Sequence, residues 1–139
     1  MTIYFDENLP PVFAEGFERI QQPLLRKMGI QNPVTIKSVT TEFGQGLTDE
    51  EVFEKLAGTA SFYITQDLHI HNRLHQRLLY EQAGLGMFFI ESRKKGTTYW
   101  EYVELLIKRW PEIVDIASKV QQPFAYLIRR TGKIGLKKL

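Results

Sequence analysis

The chain has 139 residues, of which 43% are hydrophobic and 24% are charged, and its net charge is +2. This length suits one domain with a core of its own, and the composition excludes disordered and collagen-like classes. The absence of cysteine excludes disulfide scaffolds, thiolate zinc sites and cysteine nucleophiles. The apolar stretches are too short to span a membrane and no secretory signal is recognisable, so we predict a cytoplasmic protein.

Apolar runs alternate with helical patterns along the whole chain. Five runs rich in β-branched and aromatic residues predict strands, at 2–5, 34–39, 62–65, 86–90 and 124–128. Apolar residues at helical spacing predict four intervening helices, at 9–29, 48–58, 70–84 and 103–117. This alternation predicts an α/β domain over 1–139 with a mainly parallel sheet of about five strands.

Several local features sharpen these boundaries. Thr48 with Glu51 three residues later forms a capping-box pattern that opens a helix. Pro111 should kink or restart the long helix that contains it. Residues 40–47 predict a polar loop, and residues 131–139 predict a flexible basic tail.

Acidic residues follow the predicted strands at one kind of place. Asp6 comes directly after the first strand and Asp67 after the third, while Asp49 and Glu51 begin the helix after the second. Sites in open α/β sheets lie beyond the carboxyl ends of the strands. If the strands are parallel, these carboxylates converge at one edge of the sheet.

Local structure explains some of these acids without any function. The capping box accounts for Glu51, and Asp49 can serve the helix dipole. Asp6 and Asp67 follow hydrophobic strands with no such requirement. Because like charges about 4 Å apart repel by several kcal/mol at an effective dielectric of about 20, either some of these carboxylates are protonated or a cation lies among them. Oxygen ligands favour Mg²⁺ or Mn²⁺, which can activate water and clamp a phosphoryl oxygen.

Three segments in this order resemble the PIN-like domains, in the branch that opens with a DENLP signature and is often found as VapC-type toxins. The segments are Ile3-Tyr4-Phe5-Asp6-Glu7-Asn8-Leu9-Pro10, Thr48-Asp49-Glu50-Glu51-Val52 and Tyr63-Ile64-Thr65-Gln66-Asp67. The resemblance implies a three-layer α/β/α fold and a metal-dependent endoribonuclease. Asp6, Asp49 with Glu51, and Asp67 would be its catalytic acids. Of these, Asp6, Asp49 and Asp67 would bind Mg²⁺ or Mn²⁺.

The same resemblance implies RNA as the substrate, a cognate antitoxin protein as a possible partner and a possible homodimer. Related sequences often carry a further acid two residues after the third-strand aspartate, where this chain has His69. We predict weaker roles in substrate binding for five residues, which are His69, Asn72, Arg73, Arg93 and Lys94. Basic residues near aromatic side chains are typical of surfaces that bind nucleic acids.

Other readings of the sequence remain open. A signalling receiver also places acids after strand one and a phosphoacceptor after strand three, but it requires a lysine after strand five, where this chain has Arg129 and Arg130. A catalytically inactive RNA-binding module would explain His69. A zinc site at His71 and His75 is less favoured than a polar helix surface, since no HExxH pattern is present.

Overall fold

The computed structural model describes residues 1–93 and 95–139, which contain six strands and seven helices. The strands are β1 (Thr2–Phe5), β2 (Thr35–Ser38), β3 (Phe62–Thr65), β4 (Gly86–Ile90), β5 (Phe124–Ile128) and β6 (Leu136–Lys138). The helices are α1 (Pro11–Ile20), α2 (Gln22–Met28), α3 (Val39–Phe43), α4 (Asp49–Leu56), α5 (His69–Asn72), α6 (Leu74–Gln82) and α7 (Tyr99–Lys119).

The strands form one sheet in the order β2-β1-β3-β4-β5-β6. All neighbours from β2 to β5 pair in parallel, and β6 alone pairs antiparallel, with β5. The chain crosses from one side of β1 to the other between β2 and β3. In doubly wound sheets this reversal of strand order opens a crevice at the carboxyl ends of the flanking strands, here β1 and β3.

Helices cover both faces of the sheet, which gives three layers. Successive side chains of a strand point to opposite faces, so Ile3 and Phe5 pack in the core formed with α1, α2 and α7. Tyr4 lies in the other core, which α3, α4, α5 and α6 help to build. The predicted α/β fold with a mainly parallel sheet is therefore confirmed, with six strands in place of about five.

The helix boundaries follow local chemistry where the sequence signals are strong. Thr48 caps α4 by accepting a hydrogen bond from the Glu51 backbone N–H at 3.2 Å. Thr98 caps α7 in the same way through the N–H of Glu101. Gly29 ends α2 in the left-handed conformation, with φ of 72°, a role that glycine fills without a steric penalty.

The predicted flexible tail at 131–139 is wrong. Leu136–Lys138 forms β6 on the edge of the sheet, and the Leu136 side chain is buried. The guanidinium of Arg109, only 3% exposed, donates to the carbonyls of Arg129 and Gly132. Its partner Glu112 accepts the N–H of Gly135 at 2.8 Å. The basic composition of the segment does not indicate these hydrogen bonds.

Three further expectations need correction. Residues 40–43 of the predicted loop belong to α3, as does Val39 at the end of the predicted second strand, and the predicted helix at 70–84 is two helices that are separated at Arg73. Its apolar row is not one buried stripe, because Ile70 is buried while Leu74 is 59% exposed. The helix α7 does not restart at Pro111, since buried Trp110 and Ile113 hold it against the sheet on both sides of the proline.

Candidate active site

A polar cleft of about 290 Å³ opens where β1 and β3 end. Three of the four predicted catalytic acids line it, namely Asp6, Asp49 and Asp67. Backbone segments from β1, β3, α3 and α4 meet here because the parallel strands leave the sheet at the same edge. The other lining residues are Glu7, Asn8, Val39, Leu47, Thr48, Glu50, Val52, Tyr63 and Thr65.

Asp6 is the most deeply placed acid of this cleft, with 4% of its surface exposed. The hydroxyl of Thr65 donates to its Oδ2 at 2.5 Å, and the backbone N–H of Asn8 donates to its Oδ1 at 3.1 Å. Both donors are neutral, and no salt bridge joins Asp6 to a cation within residues 1–93 and 95–139.

The surroundings of Asp6 disfavour its charged form. Burial raises the pKa of the Asp6 carboxyl to about 6, and the nearby charge of Asp49 adds to this effect. The hydrogen bonds from Thr65 and Asn8 act in the opposite direction without cancelling the cost of desolvation. A buried carboxylate that lacks a counter-charge is costly, so the ionised form of Asp6 is unfavourable as the chain stands.

Asp67 and Asp49 approach the same space from β3 and α4. The N–H of Asp67 donates to the Thr65 hydroxyl at 3.0 Å, while Asp67 Oδ1 accepts the N–H of His69 at 3.1 Å. Burial raises the pKa of the Asp49 carboxyl, and the charges of Asp67, Glu50 and Glu7 raise it further. The acids are therefore close enough to repel one another.

Glu51, the fourth predicted catalytic acid, does not line the cleft. It is exposed at the third position of α4, where its backbone N–H serves the Thr48 cap. The neighbouring Glu50 lines the cleft in its place, and its carboxylate accepts a hydrogen bond from Gln76 at 3.1 Å. Consecutive residues of a helix point in directions about 100° apart, so only one of Glu50 and Glu51 can face the cleft. The capping pattern does not show which of the two it is.

The predicted substrate-binding residues lie at three places. His69 and Asn72 are exposed on α5, and Arg73 is exposed where α5 ends. The guanidinium of Arg73 donates to Gln76 at 3.4 Å, and Gln76 donates to the cleft residue Glu50, so Arg73 lies on this side of the cleft. Arg93 follows β4 and pairs with Glu101 at 3.2 Å. Lys94 lies outside the described residues.

Sequence reasoning missed Thr65, Tyr63, Glu7 and Asn8 as parts of the site. Thr65 is 1% exposed and connects Asp6 to the Asp67 backbone. Burial, and then the charge of Asp6, raise the pKa of the Tyr63 phenol well above its ordinary value. One signal was available, since Thr65 and Tyr63 occupy alternate positions of the strand that precedes Asp67. The contact of Thr65 with Asp6 joins residues 59 positions apart, so no local sequence pattern indicates it.

The histidines do not converge on this cleft. His71 Nδ1 forms a hydrogen bond with the Tyr80 hydroxyl at 2.7 Å, beneath α6. Desolvation lowers the pKa of the His71 imidazole, and the charge of Arg77 lowers it further. His71 is thereby engaged in the packing of α5 against α6.

The chemistry of the acidic cleft fits a hard divalent cation. Its carboxylate oxygens are the donors that Mg²⁺ and Mn²⁺ prefer. Within the described part of the chain, no three His, Asp or Glu side chains form a ready-made metal cage. The donor set is therefore suitable in kind, and it is not gathered around one point.

The comparisons with known proteins agree with this geometry. A family model described as "PIN like domain" matches residues 1–92, a range that includes β1 to β4 and every residue that lines the cleft. No curated protein and no solved structure matches the chain. Of the helices that the structure describes, none combines the length and hydropathy needed to cross a membrane.

Proposed function

The chain belongs to the PIN-like domain family, and on that premise we propose that it is an endoribonuclease that depends on Mg²⁺ or Mn²⁺. PIN-like domains are commonly nucleases and generally use divalent metal ions, which makes a hydrolase the expected class. The substrate is RNA, and the cleft at the ends of β1 and β3 is its active site. Asp6, Asp49 and Asp67 are the proposed metal ligands.

One observation carries this proposal. Asp6 holds a carboxylate almost fully out of water, with hydrogen bonds but no counter-charge among the described residues. A buried charge without its partner costs several kcal/mol, a cost that a purely structural site has no reason to bear. Four further acids line the same cleft, namely Glu7, Asp49, Glu50 and Asp67, so a cation would relieve their mutual repulsion as well.

The residues of the cleft would divide the work. Asp6, held by Thr65 and Asn8, would keep one ligand oxygen in a fixed position, while Asp49 and Asp67 would approach from the opposite walls. A divalent ion there would supply a more acidic water and neutralise charge on a phosphoryl oxygen. Arg73 would contact a substrate phosphate at the cleft rim, and Glu7 and Asn8 would line the opposite side.

The DENLP signature suggests a finer assignment. In the branch that the first segment resembles, the nuclease is the toxin of a toxin–antitoxin pair. We therefore include a cognate antitoxin protein among the proposed partners, together with a possible homodimer. Purification of the chain from its native source together with a small partner protein, and loss of cleavage in that complex, would test the toxin assignment.

The deciding experiment compares RNA cleavage by the wild type and Asp67→Asn in Mn²⁺, in Mg²⁺ and in EDTA. Asp67→Asn removes one charge and keeps nearly the same shape, and the matched control Asp115→Asn removes an exposed carboxylate on α7. We expect metal-dependent cleavage that Asp67→Asn abolishes and Asp115→Asn retains. Cleavage that continues in EDTA, or in Asp67→Asn, would contradict the proposal.

A catalytically inactive RNA-binding module is the second candidate. It is favoured by the exposed His69, where related sequences often carry an acid, and by the absence of a gathered metal cage among residues 1–93 and 95–139. This candidate predicts RNA binding that ignores chelators, with no cleavage by well-folded protein in either metal.

A receiver-like signalling domain is the least supported candidate. The strand order is compatible with a receiver, but the basic residue after β5 is engaged elsewhere. Arg130 pairs with Glu101 at 3.4 Å, on the far side of β4 from Asp67. An acyl-phosphate donor should leave no labile phosphate on Asp67.

A further inference from the structure

A second polar cleft, of about 190 Å³, lies at the ends of β4 and β5. Three cations and two carboxylates line it together with Leu105, and these are Arg93, Lys108, Arg130, Glu101 and Glu104. The excess of one positive charge contrasts with the acidic cleft at β1 and β3. We name this feature the basic cleft.

The basic cleft shares an edge of the sheet with the acidic cleft. The strands β3, β4 and β5 are parallel neighbours, so the segments that follow them leave the sheet on the same side. Because adjacent strands lie about 4.8 Å apart, the end of β5 is about 10 Å from the end of β3. The acidic cleft lies on the face that α3 and α4 cover and the basic cleft on the face that α7 covers, so a strand of nucleic acid would reach both by crossing this edge.

One carboxylate organises the cations of the basic cleft. Glu101 Oε2 accepts from Arg93 at 3.2 Å and from Arg130 at 3.4 Å, while its Oε1 accepts from the Thr98 hydroxyl. Desolvation opposes ionisation of Glu101, but the Thr98 hydrogen bond and the charge of Arg93 lower its pKa below the ordinary value. Glu101 thus stays charged and holds two guanidinium groups side by side.

An exposed aromatic side chain adjoins these groups in the sequence. Trp100, next to Glu101 on α7, is 71% exposed. Its ring centroid lies 5.6 Å from that of Tyr99, which packs edge-on against Phe13 at 5.8 Å. The indole therefore contacts one neighbouring ring, while most of its surface faces solvent.

We propose that the basic cleft and Trp100 form a binding surface for single-stranded RNA, at the same edge of the sheet as the proposed active site. Guanidinium groups bind phosphate through planar pairs of N–H donors, and exposed aromatic rings stack on unpaired bases. The proposal rests on the proposed function for its substrate class. It assigns phosphate contacts to Arg93, Arg130 and Lys108, and base stacking to Trp100.

The choice of RNA over a protein partner follows from the neighbourhood of Trp100. A hydrophobic partner surface would have to desolvate the cations of the basic cleft, at a cost. A phosphodiester strand places its charge on the guanidinium groups and its bases on the indole. An unpaired strand is required, because bases within a duplex do not expose their faces for stacking.

The test is the affinity of the full chain for a short fluorescent single-stranded RNA of mixed sequence, in EDTA and over a range of salt concentrations. We expect the double variant Arg93→Gln/Arg130→Gln to bind more weakly and to reduce the slope of log affinity against log salt by about 1.4, since each phosphate contact on a single strand contributes about 0.7. Glu104→Gln should bind more tightly, because it removes a like charge from the path of the phosphates.

Trp100→Ala should weaken binding by about 5- to 150-fold, the range for one stacked base, without changing the salt slope. Trp100→Phe should retain most of the affinity. Ile107→Ala is the matched control for an exposed apolar residue of the same helix, and Lys119→Gln is the control for an exposed cation at its other end. Unfolding midpoints establish that each variant is folded, and Arg93→Gln alone gives a second measurement at a side chain that is 57% exposed.

Two results would overturn the proposal. One is affinity that is indifferent to the arginine and Trp100 variants, which would leave Trp100 for a protein partner. The other is equal affinity for double-stranded RNA. Because the measurement is made in EDTA, it is separate from catalysis: binding through this surface with no cleavage in Mn²⁺ would reject the nuclease and retain the RNA surface, while cleavage with unaffected variants would do the reverse.

Discussion

Two buried charges of opposite sign, Asp6 and Arg109, lie in different environments. Each is almost inaccessible, at 4% and 3% exposure. Arg109 has a carboxylate partner in Glu112 and donates to two backbone carbonyls. Asp6 accepts hydrogen bonds from neutral donors, has Asp49 as a charged neighbour, and forms no ion pair within the described residues.

The difference teaches how to read buried charge in this protein. A charge whose hydrogen bonds and counter-charge are all supplied by the chain stabilises structure, here the attachment of β6. A charge that the chain leaves uncompensated lowers stability until something else binds. Because desolvation dominates the balance for Asp6, the free energy that folding gives up at this residue is available to a ligand.

The largest expected effect is a loss of stability when Arg109 is removed from its buried ion pair. Arg109→Met keeps an apolar side chain of similar length but leaves Glu112 and two carbonyls without their partner. We expect the free energy of unfolding to fall by about 3–5 kcal/mol, measured by urea denaturation. Lys119→Met removes an exposed ion pair with Asp115 and should cost about 1 kcal/mol or less. Equal losses in the two variants would contradict the assigned role of Arg109.

At Asp6 the buried charge should lower the stability of the protein, in contrast to Arg109. The folded-state pKa of Asp6 is about 6, above its ordinary value of 3.8, so the folded chain retains a proton that the unfolded chain loses between these values. Wild-type stability should therefore fall as the pH rises from about 4 to above 6, by about 3 kcal/mol at 1.36 kcal/mol per pKa unit.

Asp6→Asn removes that cost. The substitution removes the destabilisation of about 3 kcal/mol but also weakens the hydrogen bond with Thr65, which is worth about 1 kcal/mol. In EDTA at pH 7.5 it should therefore stabilise the protein by about 2 kcal/mol. Urea denaturation of both proteins at pH 4 and pH 7.5 measures the effect, and the gain should be absent at pH 4. Mn²⁺ should then raise the unfolding midpoint of the wild type and leave that of Asp6→Asn unchanged. A destabilised Asp6→Asn at pH 7.5 would show that the charge is compensated after all.

The smallest effect concerns the residue that holds Asp6 in place. Thr65→Val replaces the buried hydroxyl with a methyl group of the same shape, so it should weaken Mn²⁺ binding about 10-fold, at the lower end of the range for residues that orient metal ligands. Thr65→Ser retains the hydroxyl and should bind Mn²⁺ nearly as the wild type does. A calorimetric titration measures both constants. Equal weakening by valine and serine would point to packing in place of the hydrogen bond.

Local patterns predicted much of the fold. The five predicted strands are present, because β-branched and aromatic runs bounded by polar residues have few other ways to bury both faces. The Thr48 cap is also as predicted, since it involves atoms three residues apart. Asp6 and Asp67 share a cleft because parallel strands deliver the residues that follow them to one edge.

Long-range contacts explain where these patterns failed. Leu74 has the spacing of a core residue but lies exposed, because the chain breaks at Arg73 and α6 presents Gln76 and Tyr80 to the interior instead. The polar, basic segment before β6 has the composition of a flexible tail. It is ordered because Arg109, some twenty positions earlier, donates hydrogen bonds to its carbonyls.

The sequence by itself therefore determined the alternation of strands and helices, the helix caps and the acids at the strand ends, all of which depend on neighbours within a few residues. The tertiary structure alone decided that Thr65 would hold Asp6, that Glu50 and not Glu51 would face the cleft, and that Arg93 and Arg130 would share Glu101. Each of these depends on which elements pack together, and on how exposed to solvent the charged groups remain after packing.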